Sequence, residues 1–463
     1  MSPGFRWGAA TAAYQVEGAA TADGRRPSIW DRFSHTPGRV QGGDTGDVAA
    51  DHYHRWNNDL DLLEHLGVDA YRFSVSWPRV IAAHGGVNPL GIDFYDRLVD
   101  GLLERGIDPV LTLYHWDLPQ DLEDRGGWAN RDTAFHFADY AGEVARRLGD
   151  RIALWGTVNE PWCAAFLGYA SGVHAPGRQE PQAALAAAHH LNLAHGLGAR
   201  SIRGVLGDSA RLTIALNLHV VRPADPERRE DREAARQIDA VGNRIFLDPI
   251  MGEGYPDDLL RDLAHVSDFS FVRAGDERRI AAPPDVLGVN YYDTSRVRGQ
   301  PFPPSTAGEG NGGHGAGNPW VGADVEFLAE PPPHTQMGWN IDPSGLTELL
   351  IGLSERFPML PLIVTENGAA FEDTLEGNRV HDDDRIDYVK RHLVALEEAT
   401  RQGADVRGYF LWSFLDNFEW AYGYSKRFGI VYIDYETQER TIKDSGRWYR
   451  DMIRSAREQE NRQ

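Results

Sequence analysis

A single cysteine, Cys163, in a chain of 463 residues excludes an internal disulfide and any cysteine-based metal cluster. No stretch approaches the roughly 18 consecutive apolar residues of a membrane-spanning helix, and the N-terminal MSPGFRWGAATAAYQ lacks a basic segment followed by an apolar core. These absences predict a cytoplasmic protein with no membrane partner. Positive charge is also short: 47 Lys and Arg against 69 Asp and Glu give a net charge of −22, a surface that repels nucleic acid and anionic lipid. No GxGxxG follows the first apolar run and no P-loop is present, so neither a dinucleotide nor a triphosphate framework is expected. Histidines cluster in DHYH (51–54) and HH (189–190), but neither spacing sets two imidazoles on one helix face, and there is no H-E-x-x-H. No metal and no cofactor is therefore expected, and Cys163, without a Cys and His signature around it, reads as a small packing residue.

What is present is a large apolar and aromatic content, 41% and 10%, enough for a sizeable core. Eight short apolar or β-branched runs recur, at 5–15, 69–77, 108–116, 153–160, 211–220, 285–292, 361–366 and 406–414. Between them lie segments with helical periodicity, for example 58–67, 91–106 and 131–149. Near-continuous apolar strands alternating with helices imply a parallel sheet buried on both faces, and eight such units predict a (β/α)₈ barrel in the α/β class. Such barrels, with long βα loops, exceed about 400 residues as one domain, so residues 1–463 are expected to form a single catalytic unit. A Gly- and Pro-rich stretch, 298–322, is expected to be a long loop after the sixth strand, either a tolerated surface insertion or a rim over the barrel mouth.

In such a barrel chemistry sits where strands end. The residues there are strongly polar: Gln15, His115, Asn159 with Glu160, Asn290 with Tyr292, and Glu366 with Asn367, followed by Trp412, Glu419 and Trp420 around the eighth strand's end. Two of them are acids that close the fourth and seventh strands, Glu160 in TVNEP and Glu366 in IVTENG, placed to face each other across the mouth. Either acid alone could cap a strand. Together, flanking a pocket, they are what glycosidic bond cleavage requires, one protonating the leaving oxygen and the other attacking the anomeric carbon. Pro161 is expected to push Glu160 out of the α region into extended geometry. Arg72, the one charged residue inside the second run, would favour the ionised form of Glu366. Glu160, beside apolar Trp162 and facing that anion, would hold its proton. Trp116, Trp162, Trp339, Trp412 and Trp420 fall in or near these motifs, where indole faces can pack on the C–H faces of sugar rings.

The motifs FRWGAATAAYQVEG, YRFSVSWPR, LYHWDLPQ, TVNEPW, GVNYY, VTENG, LWSFLDNFEW and KRFGIVYID resemble, in this order and nearly end to end, the retaining β-glucosidases of glycoside hydrolase family 1. The resemblance implies that Glu160 is the acid/base and Glu366 the nucleophile. It implies that Gln15, His115, Asn159, Glu419 and Trp420 hold sugar hydroxyls and that Trp412 is the ring platform. Trp116 belongs to the same pocket, and Asn290, Tyr292 and Arg72 match supports of the nucleophile. Trp162 and Trp339 match aromatic positions on the leaving-group side, and Phe428 a pocket residue near the sugar's exocyclic carbon. Relatives that take 6-phosphorylated sugars have Ser where Glu419 stands, and thioglucoside-cleaving relatives replace the acid with Gln; neither change is present. The implied reaction is hydrolysis of terminal β-D-glucosyl residues with retention, on substrates such as cello-oligosaccharides or aryl glucosides. The same scaffold also serves β-galactosidases, β-fucosidases and transglycosylases, and a sugar-binding protein without turnover is the reading from another class. Asp293 departs from the family, which often has Thr there, and is expected to leave the pocket chemistry untouched.

Overall fold

The computed structural model describes residues 4–82, 85–299 and 317–460. Eight parallel strands close into a barrel in chain order: β1 (Arg6–Ala10), β2 (Ala70–Ser74), β3 (Asp108–Tyr114), β4 (Leu154–Asn159), β5 (Leu212–Asn217), β6 (Leu287–Asn290), β7 (Leu362–Asn367) and β8 (Val406–Trp412). Closure is visible at Gly8, which pairs with Ala70 on one side and Phe410 on the other. Strands β2, β4 and β7 are buried along their whole length, as continuous apolar runs covered on both faces must be. This is the expected (β/α)₈ architecture.

The outer ring begins with α1 (His52–Leu66), α2 (Pro89–Glu104) and α3 (Asp132–Leu148). In α3 the buried residues Phe137, Tyr140, Ala141, Val144 and Leu148 recur at three- and four-residue steps, so one stripe faces the barrel. Leu60, Leu63 and Leu66 of α1 are fully buried, each contributing about 2 kcal/mol of transfer free energy. Helices Pro181–Leu206, Pro343–Arg356, Asp383–Arg401 and Asp444–Glu460 continue the ring. Among the described residues no helix is long and apolar enough to cross a membrane.

Several runs end earlier than their composition suggests, and two of these matter for the barrel mouth. In 5–15 the strand stops at Ala10 and Ala13–Val16 form a helical turn, so Gln15 reaches the barrel mouth from that turn. In 211–220 the strand stops at Asn217, and Val220–Pro223 leaves the barrel to pair with Thr294–Arg298, which also pairs with Glu326–Phe327. Of the Gly- and Pro-rich stretch, 300–316 lies outside the described residues. Its described end folds Trp320 inward, 6% exposed, with its ring 4.6 Å from that of Trp162.

Both acid-bearing strands are irregular at their C-terminal ends. Against β5, Gly156 pairs with Thr213 but Asn159 with Ala215; against β6, Val364 pairs with Val289 but Glu366 with Asn290. Each shift inserts one residue, and a bulge of this kind re-aims the side chains beyond it. Gly368 follows at once, where a β-carbon would collide with the Trp412 carbonyl. The glycine of VTENG is thus required for the ends of β7 and β8 to approach.

Candidate active site

One cavity of about 940 Å³, its open mouth included, occupies the C-terminal end of the barrel. Its walls include His115, Trp116, Glu160, Trp162, Asn290, Tyr292, Trp339, Glu366, Trp412, Glu419, Trp420 and Phe428, all expected from the sequence. Arg72, Asn159 and Gln15 stand just behind this lining and reach it through hydrogen bonds.

Arg72 donates from Nη1 to Glu366 Oε1 and from Nη2 to Asn159 Oδ1, each at 2.6 Å. The hydroxyl of Tyr292 donates to Glu366 Oε2 at 2.8 Å, so both oxygens of this carboxylate are held. Thr365 donates to Asn290 Oδ1 at 2.6 Å, which fixes the amide and turns its Nδ2 to Glu160 Oε1 at 2.7 Å. The other oxygen, Oε2, meets the thiol of Cys163 at 3.3 Å. Burial first, and the facing Glu366 second, raise the pKa of Glu160 to about 8. Glu160 therefore carries its proton at neutral pH, as expected from its surroundings.

A second polar cluster lies toward β1, β3 and β8. Asn159 Oδ1 is committed to Arg72 and to Asn290, so its Nδ2 faces His115 Nε2 at 3.1 Å. Burial, and then Arg72, hold the pKa of His115 well below the usual imidazole range. In the neutral ring Nε2 must accept from the amide, which leaves the proton on Nδ1, and Nδ1 has no partner among the described residues. Gln15 donates from Nε2 to Asn417 Oδ1 at 3.0 Å and to the Phe418 carbonyl at 2.9 Å, while its Oε1 is buried without a partner among the described residues. Glu419, beside Gln15, has its pKa raised to about 8 by burial and then by Glu366 and Glu160. Trp412 stacks on His115 at 5.8 Å with 20° between the rings.

The backbone of the site is strained. Trp116, Glu160 and Trp420 have φ of +78°, +46° and +49°, a region that costs a non-glycine residue about 1 to 2 kcal/mol. The extended geometry expected of Glu160 is therefore not what forms. Its N–H still bonds the Ala215 carbonyl as a strand residue would, yet its own carbonyl accepts from Ala164 N as a helix start. Turning from strand to helix within one residue overrides the preference that Pro161 imposes.

Several lining residues were not anticipated. Asn217 and His219 come from the end of the fifth run, which reads as an unbroken strand to residue 220; stopping it at the polar Asn217 would have found both. Cys163 packs as expected but also touches the acid, and Asn217 Nδ2 approaches its sulfur at 3.4 Å. Asp293, the departure from the family pattern, lines the cavity too. The histidines of DHYH and HH lie elsewhere: His52 bonds Asp59, His54 bonds Asp51, His189 bonds Asp276 and His190 bonds the Trp128 carbonyl. Among the described residues no group of three or more His, Cys, Asp or Glu could hold a metal ion.

The family model described as glycosyl hydrolase family 1 matches residues 1–458. A bifunctional β-D-glucosidase/β-D-fucosidase of Bifidobacterium breve is 52% identical, with 97% of each chain covered. The psychrophilic β-glucosidase of Micrococcus antarcticus superposes with a TM-score of 0.93 at 48% identity, covering 98% of this chain and 97% of its own. The β-glucosidase of Thermotoga maritima in complex with deoxynojirimycin gives a TM-score of 0.90 at 43% identity over 98% of both chains.

Proposed function

Since the chain belongs to glycosyl hydrolase family 1, we propose a division of labour among its residues for the retaining β-glucosidase reaction that it carries out. The supporting observation is the pair of carboxyl groups on one cavity, one clasped by Arg72 and Tyr292 and the other holding a proton. Glu366 attacks the anomeric carbon of a terminal β-D-glucosyl residue. As the glycosidic C–O bond breaks, Glu160 gives its proton to the leaving oxygen. Asn290 holds Oε1 of Glu160 by an amide donor at 2.7 Å, so the proton sits on Oε2, where the Cys163 sulfur at 3.3 Å turns from donor to weak acceptor. The ester on Glu366 cancels the charge that helped to raise the pKa of Glu160, which then ionises and takes a proton from a water whose oxygen attacks the anomeric carbon. The Glu366 carboxylate departs, and two displacements return the β anomer. A proton NMR time course with nitrophenyl β-glucoside tests this: β-glucose is expected first, with the α anomer growing in only by mutarotation.

The glucosyl ring lies over Trp412, with the free Nδ1–H of His115 and the free Oε1 of Gln15 meeting its hydroxyls. Glu419 shares this work. Glu419→Ala is expected to lower kcat/KM for nitrophenyl β-glucoside about 100-fold, the cost of leaving buried sugar hydroxyls and the Gln15 amide without their partner. A loss below about threefold would place Glu419 off the sugar. Cello-oligosaccharides and aryl glucosides are the substrates that the cavity suits. The Bifidobacterium breve relative, named as both a glucosidase and a fucosidase, favours β-fucosidase activity as a second reading. Rates on the nitrophenyl glucoside, fucoside and galactoside separate the two.

A further inference from the structure

The polar groups that meet the glucosyl ring come from β1, β3 and the β8 loop. Across the cavity, on the side of β4 to β6, the wall is formed by Trp162, Trp339, Met337, His219, Asn217 and Asp293. Asp293 is the one acid of this group. It follows Tyr292 directly, so the backbone that holds a hydroxyl against the nucleophile also sets this residue in the cavity wall.

No hydrogen-bond donor or cation meets the Asp293 carboxyl among the described residues. Burial alone shifts its pKa, to about 7, with neither a charge nor a hydrogen bond acting on it. Every other acid on the cavity has a side-chain donor: Arg72 and Tyr292 for Glu366, Asn290 for Glu160, Gln15 for Glu419. A half-buried carboxyl that no described residue bonds is unfavourable, and a ligand that enters the cavity can bring it donors.

We propose that Asp293 is the hydrogen-bond acceptor for the leaving group and selects leaving groups that bring hydroxyl donors, that is, a second sugar. The two oxygens of a carboxylate can accept from neighbouring hydroxyls of a sugar ring, while Trp162 and Trp339 offer faces for its C–H groups. A nitrophenol leaving group brings no such donor and gains nothing from Asp293. The proposal rests on the β-glucosidase reading above.

The test compares cellobiose with 4-nitrophenyl β-glucoside for the wild type, Asp293→Leu and the near-isosteric Asp293→Asn. For Asp293→Leu, kcat/KM for cellobiose is expected to fall about 10- to 100-fold, the loss of hydrogen bonds to a charged group, while the aryl glucoside stays within about threefold. Asp293→Asn, which keeps one acceptor, is expected to lie between. Equal losses on both substrates in both variants would show that Asp293 acts by supporting Tyr292 and would overturn the proposal, as would no loss on either. A wild type that cleaves the aryl glucoside but not cellobiose would overturn it while leaving the proposed function standing. A wild type inert on both would instead remove that function.

Discussion

Glu366→Ala is expected to lower kcat on nitrophenyl β-glucoside by at least about 10⁴-fold, more than about 5 kcal/mol of barrier. The magnitude follows from the absence of a substitute. Glu160, Asp293 and Glu419 share the cavity, but of these acids only Glu366 is clasped by a cation among the described residues, by Arg72 at 2.6 Å, with Tyr292 on its other oxygen at 2.8 Å. Removing its side chain leaves a gap beside the anomeric carbon and a buried guanidinium without its anion. A small anion fits that gap. Added azide is expected to restore turnover and to yield the α-configured glucosyl azide, because it attacks from the face that Glu366 used and nothing displaces it afterwards. A β-configured azide, or rescue equally good in the wild type, would assign the nucleophile elsewhere.

How much of this was legible in the sequence depends on which forces set each feature. The eight strands were readable because a strand buried on both faces must be apolar throughout, and β2, β4 and β7 are. The acids were readable because a carboxylate that ends such a strand, as Glu366 does at IVTEN, has no packing reason to be there. The backbone at Glu160 was not readable. Local sterics before proline favour extended geometry, whereas the observed φ of +46° is imposed by neighbours far away in the chain, including the Ala215 carbonyl on β5. The wall from β5 was missed for another reason. LNLHV reads as one alternating strand, and only the sheet formed by Val220–Pro223 with Thr294–Arg298 shows why the barrel strand ends at Asn217.

Glu160→Ala should produce a loss that depends on the leaving group, which separates an acid from a nucleophile. For a substrate whose leaving group is a poor anion, such as cellobiose, loss of the proton donor is expected to cost about 10³-fold in kcat/KM, within the usual range for general acid catalysis. With dinitrophenyl β-glucoside, whose leaving group departs unaided, kcat/KM should change by less than about tenfold. Resolution of the ester still needs a base, so the intermediate accumulates and KM falls together with kcat. Azide is again expected to rescue, here attacking the ester on Glu366 to give the β-configured azide, the opposite anomer to that from Glu366→Ala. The pH profile supplies a further sign. The Glu160 carboxyl is raised to about 8 by burial and by Glu366, so its protonated form dominates below that pH and is lost above it. In the wild type kcat/KM for nitrophenyl β-glucoside should therefore fall about tenfold per pH unit beyond about 8. In Glu160→Ala that alkaline limb should disappear. A limb that persists in the variant would mean that another group, such as Glu419 with its own pKa of about 8, controls the profile and that Glu160 is not the proton donor.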